Sequence, residues 1–590
     1  MNDQSLLLLP QPRLITLTSG THRLTDQALV LIDAMIPKSL HFSASQLIQA
    51  VHQRLAFNWE ITASPSVPVD LIEVKLQMTP EKKIHDQGYE LDIHPKEVLL
   101  KASDEPGIFY GVCTLVQLID RYGSDIPCMH ISDWPDFQAR GVMLDISRDK
   151  VPMMQTILHL VDQLASWKIN QLQLYTEHTF AYRQYPDVWA RATPFTGQEI
   201  MELDAYCRQR YIELVPNQNS FGHFARWLLH DNYSHLAEVQ GEFITPWGPM
   251  KGPYSLCPTD PASLELIFNL YDELLPHFTS RMINVGCDET FDIGQGRSKD
   301  ACAAQGEARV YLDFLLSVYN ELKSRGYTMQ FWGDIVQLHP ELIPELPRDV
   351  IALEWGYEAN HPFDQHCARL NEAGIPFYVC PGTSSWCSLA GRSDNALFNL
   401  QNAAQSGLKY GATGYLITDW GDYGHWQPLP VSYLGFVAGA AYSWVYETNH
   451  SLDIPEALSQ YGFKDRTGVM GCFAYELGNI YQACGYTPEN ASALFQVLQR
   501  PFNVIENQPK LKGATASFEP VMAKIDQVMQ QLPNEKMEGS DRDIIVQEFN
   551  LVARLLRHAC QRGMLLSETD EQKIYSLRND LNYDLDGLEC

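Results

Sequence analysis

The stretch RMINVGCDET, residues 281–290, places two carboxylates, Asp288 and Glu289, directly after a short apolar run. An ionised carboxylate is rarely buried without a partner, because taking a charge out of water costs on the order of several kcal/mol. Two acids in a row therefore predict the end of a core strand, at an edge of the sheet where a polar site begins. The recurrence of this unit along the chain decides the fold prediction.

Eight such strands are predicted, and each is a short, largely apolar run, as expected of parallel strands that are covered on both faces. Segments with helical periodicity, such as MMQTILHLVDQLASWK, lie between them. Eight strand-then-helix units predict an α/β protein with a (β/α)8 TIM barrel. An open doubly wound sheet is disfavoured, since no G-x-G-x-x-G follows any strand. The predicted strands are residues 139–147, 169–176, 211–218, 282–289, 328–335, 350–357, 376–383 and 413–421.

Two further regions flank the predicted barrel. Residues 1–133 mix short strands with a helix that Pro106 opens, which predicts a small α/β domain. The barrel is expected over residues 134–446. Residues 447–590 are predicted to be mainly helical, with a clear amphipathic run in DRDIIVQEFNLVARLLRHACQRG. This last region is expected to pack against the barrel or against a second copy in a homodimer.

Composition excludes several classes of partner. The chain has 590 residues and a net charge of −29, so its surface repels nucleic acid and anionic membranes. The 13 cysteines are an odd number without a C-x-x-C pair, which argues against a zinc ribbon and against a disulfide framework. No basic region precedes the N-terminal leucines, and no apolar run reaches the length of a membrane span. These features predict a cytoplasmic protein with reduced thiols.

Carboxylates and tryptophans concentrate where the predicted strands end, which is where TIM barrels carry their chemistry. An indole stacks on the apolar face of a sugar ring, and hydroxyls bind charged acceptors. Cleavage of a glycosidic bond needs a carboxylic acid near the leaving oxygen and negative charge near the developing cation. Repulsion between Asp288 and Glu289 is predicted to raise the pKa of one of them. A single tryptophan or acid pair would indicate only packing or a solvated turn.

Four segments resemble a known family. INVGCDET resembles the H/N-x-G-G-D-E signature of glycoside hydrolase family 20, the β-N-acetylhexosaminidases, and DWPDFQARGVMLDISRD is similar to the family's first barrel strand. GYELDIHPKEVLLKASDEPGIFYGVCTLVQLI is similar to the end of its N-terminal domain. The later segment GYLITDWGDYGHWQPLP resembles the bacterial branch with a helical C-terminal region.

The resemblance implies an exo-acting, retaining enzyme that releases terminal β-linked GlcNAc from an oligosaccharide or glycoconjugate, with GalNAc left open. The substrate's own 2-acetamido group would attack the sugar's C1 and form an oxazolinium intermediate, a known exception to the scheme of two catalytic carboxylates. No cofactor and no metal would be required. Glu289 would be the acid and base, and Asp288 would orient the acetamide.

The resemblance also implies a set of substrate-binding residues. Arg140 would grip the outer hydroxyls of the sugar. Its position at the start of the first barrel strand equally suits an ion pair at the bottom of the barrel. The other implied substrate-binding residues are Glu177, His223, Trp332, Trp355, Trp386, Trp420 and Asp422.

The chain departs from the family pattern at three places. Asn284 replaces the commoner histidine, and Cys287 replaces a glycine beside the acids. The tyrosine that usually contacts the acetamide oxygen after the seventh strand has no clear counterpart, and Tyr378 and Tyr415 are both open candidates. These departures leave the preference between GlcNAc and GalNAc open.

Two other functions remain to be weighed. One is a non-catalytic carbohydrate-binding protein on a degenerate barrel, against which the intact Asp-Glu pair argues. The other is a metal-dependent hydrolase that uses His178, His223 and Asp288, although no H-x-H or H-E-x-x-H spacing supports it.

Overall fold

The computed structural model describes residues 6–81, 84–568 and 570–588. An N-terminal sheet of seven strands has the order β1-β7-β5-β6-β4-β2-β3. The helix Glu105–Tyr122 follows strand β6 and has Pro106 in its first turn. The side chain of Asp104 caps this helix by accepting a hydrogen bond from the backbone N–H of Gly107 over 2.7 Å. The elements are β1 Leu14–Arg23, β2 Leu29–Asp33, α1 His41–Leu55, β3 Glu60–Thr62, β4 Ile72–Met78, β5 Tyr89–His94, β6 Glu97–Ala102, α2 Glu105–Tyr122 and β7 Asp125–Asp133.

Eight parallel strands then close into a barrel in the order β10-β13-β14-β15-β16-β17-β8-β9, which confirms the predicted TIM barrel. Two further strands, β11 and β12, form a separate hairpin. The strands are β8 Ala139–Asp145, β9 Gln171–Thr176, β10 Glu213–Gln218, β11 Glu242–Thr245, β12 Gly248–Lys251, β13 Met282–Asn284, β14 Thr328–Trp332, β15 Ile351–Trp355, β16 Phe377–Cys380 and β17 Gly414–Asp419.

The helices around the barrel alternate with these strands, and α13 packs against β17 and β8 after the last strand. These helices are α3 Met154–Ser166, α4 Pro186–Trp189, α5 Gly197–Gln209, α6 Ala225–Leu228, α7 Pro261–Leu274, α8 Lys299–Gln305, α9 Glu307–Ser324, α10 Asp334–Leu338, α11 Phe363–Ala373, α12 Ser393–Tyr410 and α13 Tyr433–Trp444.

The C-terminal part is helical, as predicted, and its long helix α21 packs against α17 and α20. In the described part of the chain, no helix has both the length and the apolar character needed to cross a membrane. The C-terminal helices are α14 Tyr446–Asn449, α15 Ile454–Ala457, α16 Val469–Leu477, α17 Ala493–Gln499, α18 Phe502–Glu506, α19 Pro509–Thr515, α20 Phe518–Met529, α21 Arg542–Ser567 and α22 Glu571–Leu588.

Amide side chains fill part of the barrel interior. The side-chain amide of Gln173 donates to Gln330 over 2.8 Å, and its oxygen accepts from Asn217 at 3.1 Å and from Asn284 at 3.0 Å. All four side chains are buried. Asn284 therefore belongs to a hydrogen-bonded interior layer that supports the strand leading to Asp288 and Glu289.

Candidate active site

The two acids lie on a tight turn after β13. The strand ends at Asn284, which is shorter than the predicted run of 282–289. The backbone then adopts positive φ at Gly286 (68°), Cys287 (67°) and Glu289 (52°), a conformation that costs energy for residues other than glycine. This turn directs both acids into the mouth of the barrel, with 8% of the side chain of Asp288 and 23% of that of Glu289 exposed.

His223 lies between the two carboxylates. Its Nε2 is 3.3 Å from Oδ2 of Asp288 and 3.5 Å from Oε2 of Glu289. The hydroxyl of Tyr254 lies 3.1 Å from the same Nε2 and 3.2 Å from Nδ1. Burial alone would lower the pKa of His223, but the carboxylate of Asp288 outweighs burial and holds that pKa well above its ordinary value. A cationic imidazole therefore separates the two acids.

Asp288 is held in place by neighbouring side chains. The side-chain amide of Asn219 donates to its Oδ1 over 3.2 Å. Gly222 leaves room for this arrangement, because a Cβ there would lie 2.5 Å from the carbonyl oxygen of Asp288. Burial would raise the pKa of Asp288, but the charge of His223 outweighs it and lowers that pKa below its ordinary value. Asp288 is therefore an oriented, ionised carboxylate.

Arg148 joins three further acids at the mouth. Its guanidinium lies 2.8 Å from Asp145, 3.6 Å from Glu177 and 3.5 Å from Asp422. The same guanidinium stacks over the ring of Trp420 at 5.0 Å. Burial raises the pKa of both Glu177 and Asp422, although the charge of Arg148 opposes it. Charged donors and acceptors thus face one another across a narrow space.

Aromatic rings line the other side of the mouth. The rings of Trp332 and Trp420 are 5.8 Å apart, and Trp420 donates its indole N–H to the hydroxyl of Tyr357 over 2.7 Å. Tyr357 stacks on Trp355 at 5.2 Å and meets Trp386 edge-on at 5.0 Å. The indole N–H groups of Trp332, Trp355 and Trp386 have no partner. The surface therefore offers both ring faces and free donors, the combination that a sugar binds.

Comparison with known proteins agrees with this geometry. The family model described as "Glycosyl hydrolase family 20, catalytic domain" matches residues 137–431, and the model of that family's domain 2 matches residues 6–134. The chain belongs to glycosyl hydrolase family 20.

Similar proteins with curated names are β-hexosaminidases. The chain is 26% identical over 289 residues to that of Akkermansia muciniphila, covering 44% of this chain and 58% of the relative. It is 23% identical over 428 residues to that of Vibrio furnissii, covering 65% of this chain and 64% of the relative. The chain thus spans less than two thirds of the length of each.

Solved structures share the fold. The chitobiase of Flavobacterium johnsoniae matches with a TM-score of 0.64 at 17% identity, covering 97% of this chain and 95% of that one. The exo-β-N-acetylglucosaminidase of Vibrio harveyi, solved in complex with N-acetylglucosamine, matches with a TM-score of 0.63 at 16% identity, covering 79% and 78%.

Arg140 does not lie at the mouth of the barrel, so its predicted role in substrate binding is wrong. It is the second residue of β8, at the opposite end of the barrel from Asp288, and is fully buried. Its guanidinium donates to the carbonyl oxygens of Lys168 at 2.9 Å and Phe137 at 2.8 Å, and it stacks over Trp444. The alternative position at the barrel bottom is correct, but carbonyl groups rather than an ion pair hold the side chain.

The other predicted site residues lie at the mouth, in the contacts described above: Asp288, Glu289, Glu177, His223, Trp332, Trp355, Trp386, Trp420 and Asp422. Two further residues of the mouth, Arg148 and Tyr254, are not among the predicted site residues. Arg148 follows the first strand in the segment LDISRD, so its position in the motif was a usable signal. Tyr254 follows an inserted hairpin, and nothing in the sequence links it to His223.

The carboxyl group with a strongly raised pKa is Asp334. Burial and the nearby charge of Asp288 raise its pKa well above the ordinary value. Within the adjacent pair, the pKa of Asp288 is lowered and not raised, because His223 supplies a cation. Sequence adjacency concealed this partner, which comes from another strand end.

The two candidate tyrosines do not reach the mouth. Tyr415 donates its hydroxyl to the carbonyl oxygen of Leu400 over 2.8 Å. Tyr378 packs against Gly414, at the start of the neighbouring strand, and burial raises its pKa. The hydroxyl of Tyr357, bonded to Trp420, does lie among the aromatic rings of the mouth.

Cys287 is a protonated thiol. Burial, together with the nearby charges of Asp288 and Asp334, raises its pKa well above the ordinary value. Its sulfur lies 3.6 Å from the carbonyl oxygen of Val285. A thiolate nucleophile is therefore not available at this position.

The metal-dependent alternative requires His178, His223 and Asp288 to converge. Burial lowers the pKa of His178 to about 4, and its Nδ1 has no hydrogen-bond partner. Over the described ranges, these three side chains do not form a metal-ligating group. The geometry gives that mechanism no support.

Proposed function

We propose that this family 20 protein is an exo-acting, retaining β-N-acetylhexosaminidase that releases terminal β-linked GlcNAc, with GalNAc as the second sugar to be tested. One observation carries the proposal: Asp288 and Glu289 face the same imidazole, beside a pocket of aromatic rings and charged groups. Similarity to proteins named β-hexosaminidase and N,N'-diacetylchitobiase supports it.

Asp288 would act on the acetamide of the substrate. Because its pKa is low, it is ionised at neutral pH and accepts the acetamide N–H. This turns the acetamide oxygen toward C1 and stabilises the positive charge that develops as that oxygen attacks. The bond between C1 and the glycosidic oxygen breaks, and an oxazolinium ion forms.

Glu289 would complete both halves of the reaction. It gives its proton to the leaving glycosidic oxygen, and the resulting carboxylate then takes a proton from the water that attacks C1. Its partial exposure suits this role, since the leaving group and the water must both reach it. Attack by the acetamide and then by water inverts C1 twice, so the β configuration is retained.

Sugar recognition would rest on two parts of the mouth. Arg148 and Asp422 would bind the outer hydroxyls, in place of the incorrectly assigned Arg140. The hydroxyl of Tyr357 would donate to the acetamide oxygen, because Trp420 already occupies it as an acceptor and leaves its proton available. Trp332 and Trp355 would enclose the acetamide methyl group and the sugar ring.

The proposal divides the chain into a non-catalytic domain (1–133), a catalytic barrel (134–446) and a helical region (447–590). The matches of the family's two domain models to residues 6–134 and 137–431 support the first boundary. A cytoplasmic location is part of the proposal, supported by free thiols at all the described cysteines. A homodimer is proposed from the exposed apolar Ile544 and Leu551 on α21, and light scattering would test it.

The experiment that tests the proposed activity compares release from aryl β-GlcNAc, aryl β-GalNAc and chitobiose. Inhibition by a thiazoline analogue of the oxazolinium ion is expected, and an aryl β-glucoside should be nearly inert. Ready cleavage of the glucoside would refute the assisted mechanism. Saturable sugar binding without any release would favour the carbohydrate-binding alternative.

A further inference from the structure

A second cluster of ionisable side chains lies on the other face of strand β15 from Trp355, one of the aromatic residues that line the mouth. Glu354 and Trp355 are successive residues of β15, so their side chains leave opposite faces of the strand. Trp355 joins the mouth, and Glu354 points outward, where His361 Nε2 is 2.9 Å and His366 Nδ1 is 2.7 Å from the same oxygen, Oε1. The three ligand atoms lie within 4.8 Å of one another.

Backbone contacts hold the cluster in shape. His361 belongs to the loop after β15, and its carbonyl oxygen accepts a hydrogen bond from the side-chain amide of Asn402 over 2.8 Å. His366 lies in the first turn of α11, and its carbonyl oxygen accepts from Gln337 at 3.2 Å. The two imidazoles are therefore presented by separate elements that are each anchored, so their convergence on one oxygen does not depend on a mobile side chain.

The buried carboxylate of Glu354, which both imidazoles face, needs a positive partner. Glu354 is only 2% exposed, and an ionised carboxylate at that depth needs a positive partner. Two imidazoles aimed at one oxygen can supply it by carrying protons, or their lone pairs and the carboxylate can share a metal ion. Two histidine nitrogens and one carboxylate are a known ligand set for zinc, in which a water completes the tetrahedron. The histidines are 19% and 20% exposed, so water has access.

We propose that Glu354, His361 and His366 form a zinc site with one open position, filled by water. Metal–ligand distances of about 2.0–2.2 Å require the present 2.7–2.9 Å separations to widen by less than about 1 Å. The acidic chain, with a net charge of −29, favours a divalent cation over long range. The thiol of Cys367, next to His366 in sequence, is not counted as a ligand, because its sulfur does not belong to the group of ligand atoms that lie within 4.8 Å of one another.

The ion would have a structural function. It would bridge the end of β15, the loop at 356–362 and the first turn of α11. That loop carries Tyr357, and β15 ends at Trp355, so the ion would hold two residues of the mouth from behind without touching a substrate. The site goes beyond the proposed hydrolase activity and does not depend on it.

The test measures zinc in the full-length protein after treatment with a chelator, readdition of zinc and gel filtration. A Cys472→Ser background removes the thiol that is exposed among the described cysteines. We expect one retained zinc ion per chain and a melting temperature roughly 2–5 °C higher with zinc than with chelator. In the double variant His361→Ala/His366→Ala, both the retained zinc and the temperature difference should be lost.

The matched control is His339→Ala, another partly exposed histidine beside a glutamate, which should keep the zinc. Cobalt substitution gives a test that needs no variant: visible bands of a tetrahedral site without strong thiolate charge transfer are expected. The proposal is overturned if the parent retains no stoichiometric zinc, if the double variant retains as much as the parent, or if the cobalt spectrum shows thiolate ligands.

Discussion

The backbone N–H of Glu289 donates a hydrogen bond to Oδ2 of Asp334 over 2.9 Å. This bond joins the turn after β13 to the start of α10 and fixes the strained backbone that carries the acid. Burial and the charge of Asp288 keep the carboxyl of Asp334 neutral far above its ordinary pKa. A further negative charge directly beside Asp288 is thereby avoided.

Asp334→Asn should therefore keep most of the activity at neutral pH, because asparagine copies a neutral carboxyl and still offers an acceptor to Glu289. A raised pKa means that the wild type loses this neutral form as pH rises, so the alkaline limb of kcat/KM should move to higher pH in the variant. In Asp334→Ala, kcat/KM should fall at least about tenfold, because the acceptor for the backbone N–H of Glu289 is removed. An inactive Asp334→Asn at neutral pH would show that an ionised Asp334 is needed.

Glu289→Gln should lower turnover of chitobiose by about 10²–10⁴-fold, since a sugar leaving group needs a proton. A substrate with an activated aryl leaving group should lose much less, because that group departs without help. Steady-state kinetics on the two substrates measures the ratio. Equal losses on both would argue against the assignment of Glu289 as the acid.

Arg148→Lys should raise KM and lower kcat/KM by roughly tenfold or more, because an ammonium cannot span the carboxylates of Asp145, Glu177 and Asp422. The matched control is Arg140→Lys at the other end of the barrel. It should lower the melting temperature, since two bonds to carbonyl oxygens are weakened, and leave KM unchanged. A raised KM in Arg140→Lys together with an unchanged KM in Arg148→Lys would instead support Arg140 as the residue that binds the substrate.

His223→Gln should shift the acid limb of kcat/KM to higher pH. The pKa of Asp288 is depressed in the folded state. The stabilising contribution of its anion is therefore fully present above the ordinary pKa of 3.8 and is lost as pH falls through the lower folded-state pKa. Without the cation, burial dominates and the carboxylate protonates at higher pH. The pKa of His223 is raised, so its own stabilising contribution is present below about 6.5 and is lost as pH rises through the folded-state pKa.

The measurement for His223→Gln is a pH–rate profile, with pH-dependent denaturant unfolding as the second readout. An unmoved acid limb would mean that His223 does not control the charge of Asp288.

Tyr357→Phe should lower kcat by about 10²-fold if its hydroxyl stabilises the acetamide oxygen in the transition state. Tyr415→Phe is the control, since that hydroxyl is bound to the carbonyl oxygen of Leu400. Thiazoline affinity should fall in the first variant and stay unchanged in the second. Wild-type kinetics for Tyr357→Phe would assign the contact to another group.

Local patterns in the sequence determined the barrel and most of its mouth. Eight apolar runs followed by helical segments specify parallel strands, and the ends of parallel strands meet at one edge, so Asp288, Glu289 and the tryptophans could be grouped without coordinates. Periodicity did not give the strand bounds, because Asn284 ends β13 and the turn beyond it begins with the apolar run Val285–Cys287.

Only the tertiary structure decided which charges meet. Arg140 and Arg148 lie eight residues apart in one motif, yet a strand separates them and sends one to each end of the barrel. Asp334, Tyr254 and Tyr357 reach the acids or the pocket from distant segments, and pKa values depend on those through-space neighbours and on burial. The sequence by itself determines which elements form. The closure of the barrel determines which of their polar side chains share one low-dielectric space, and the chemistry follows from that.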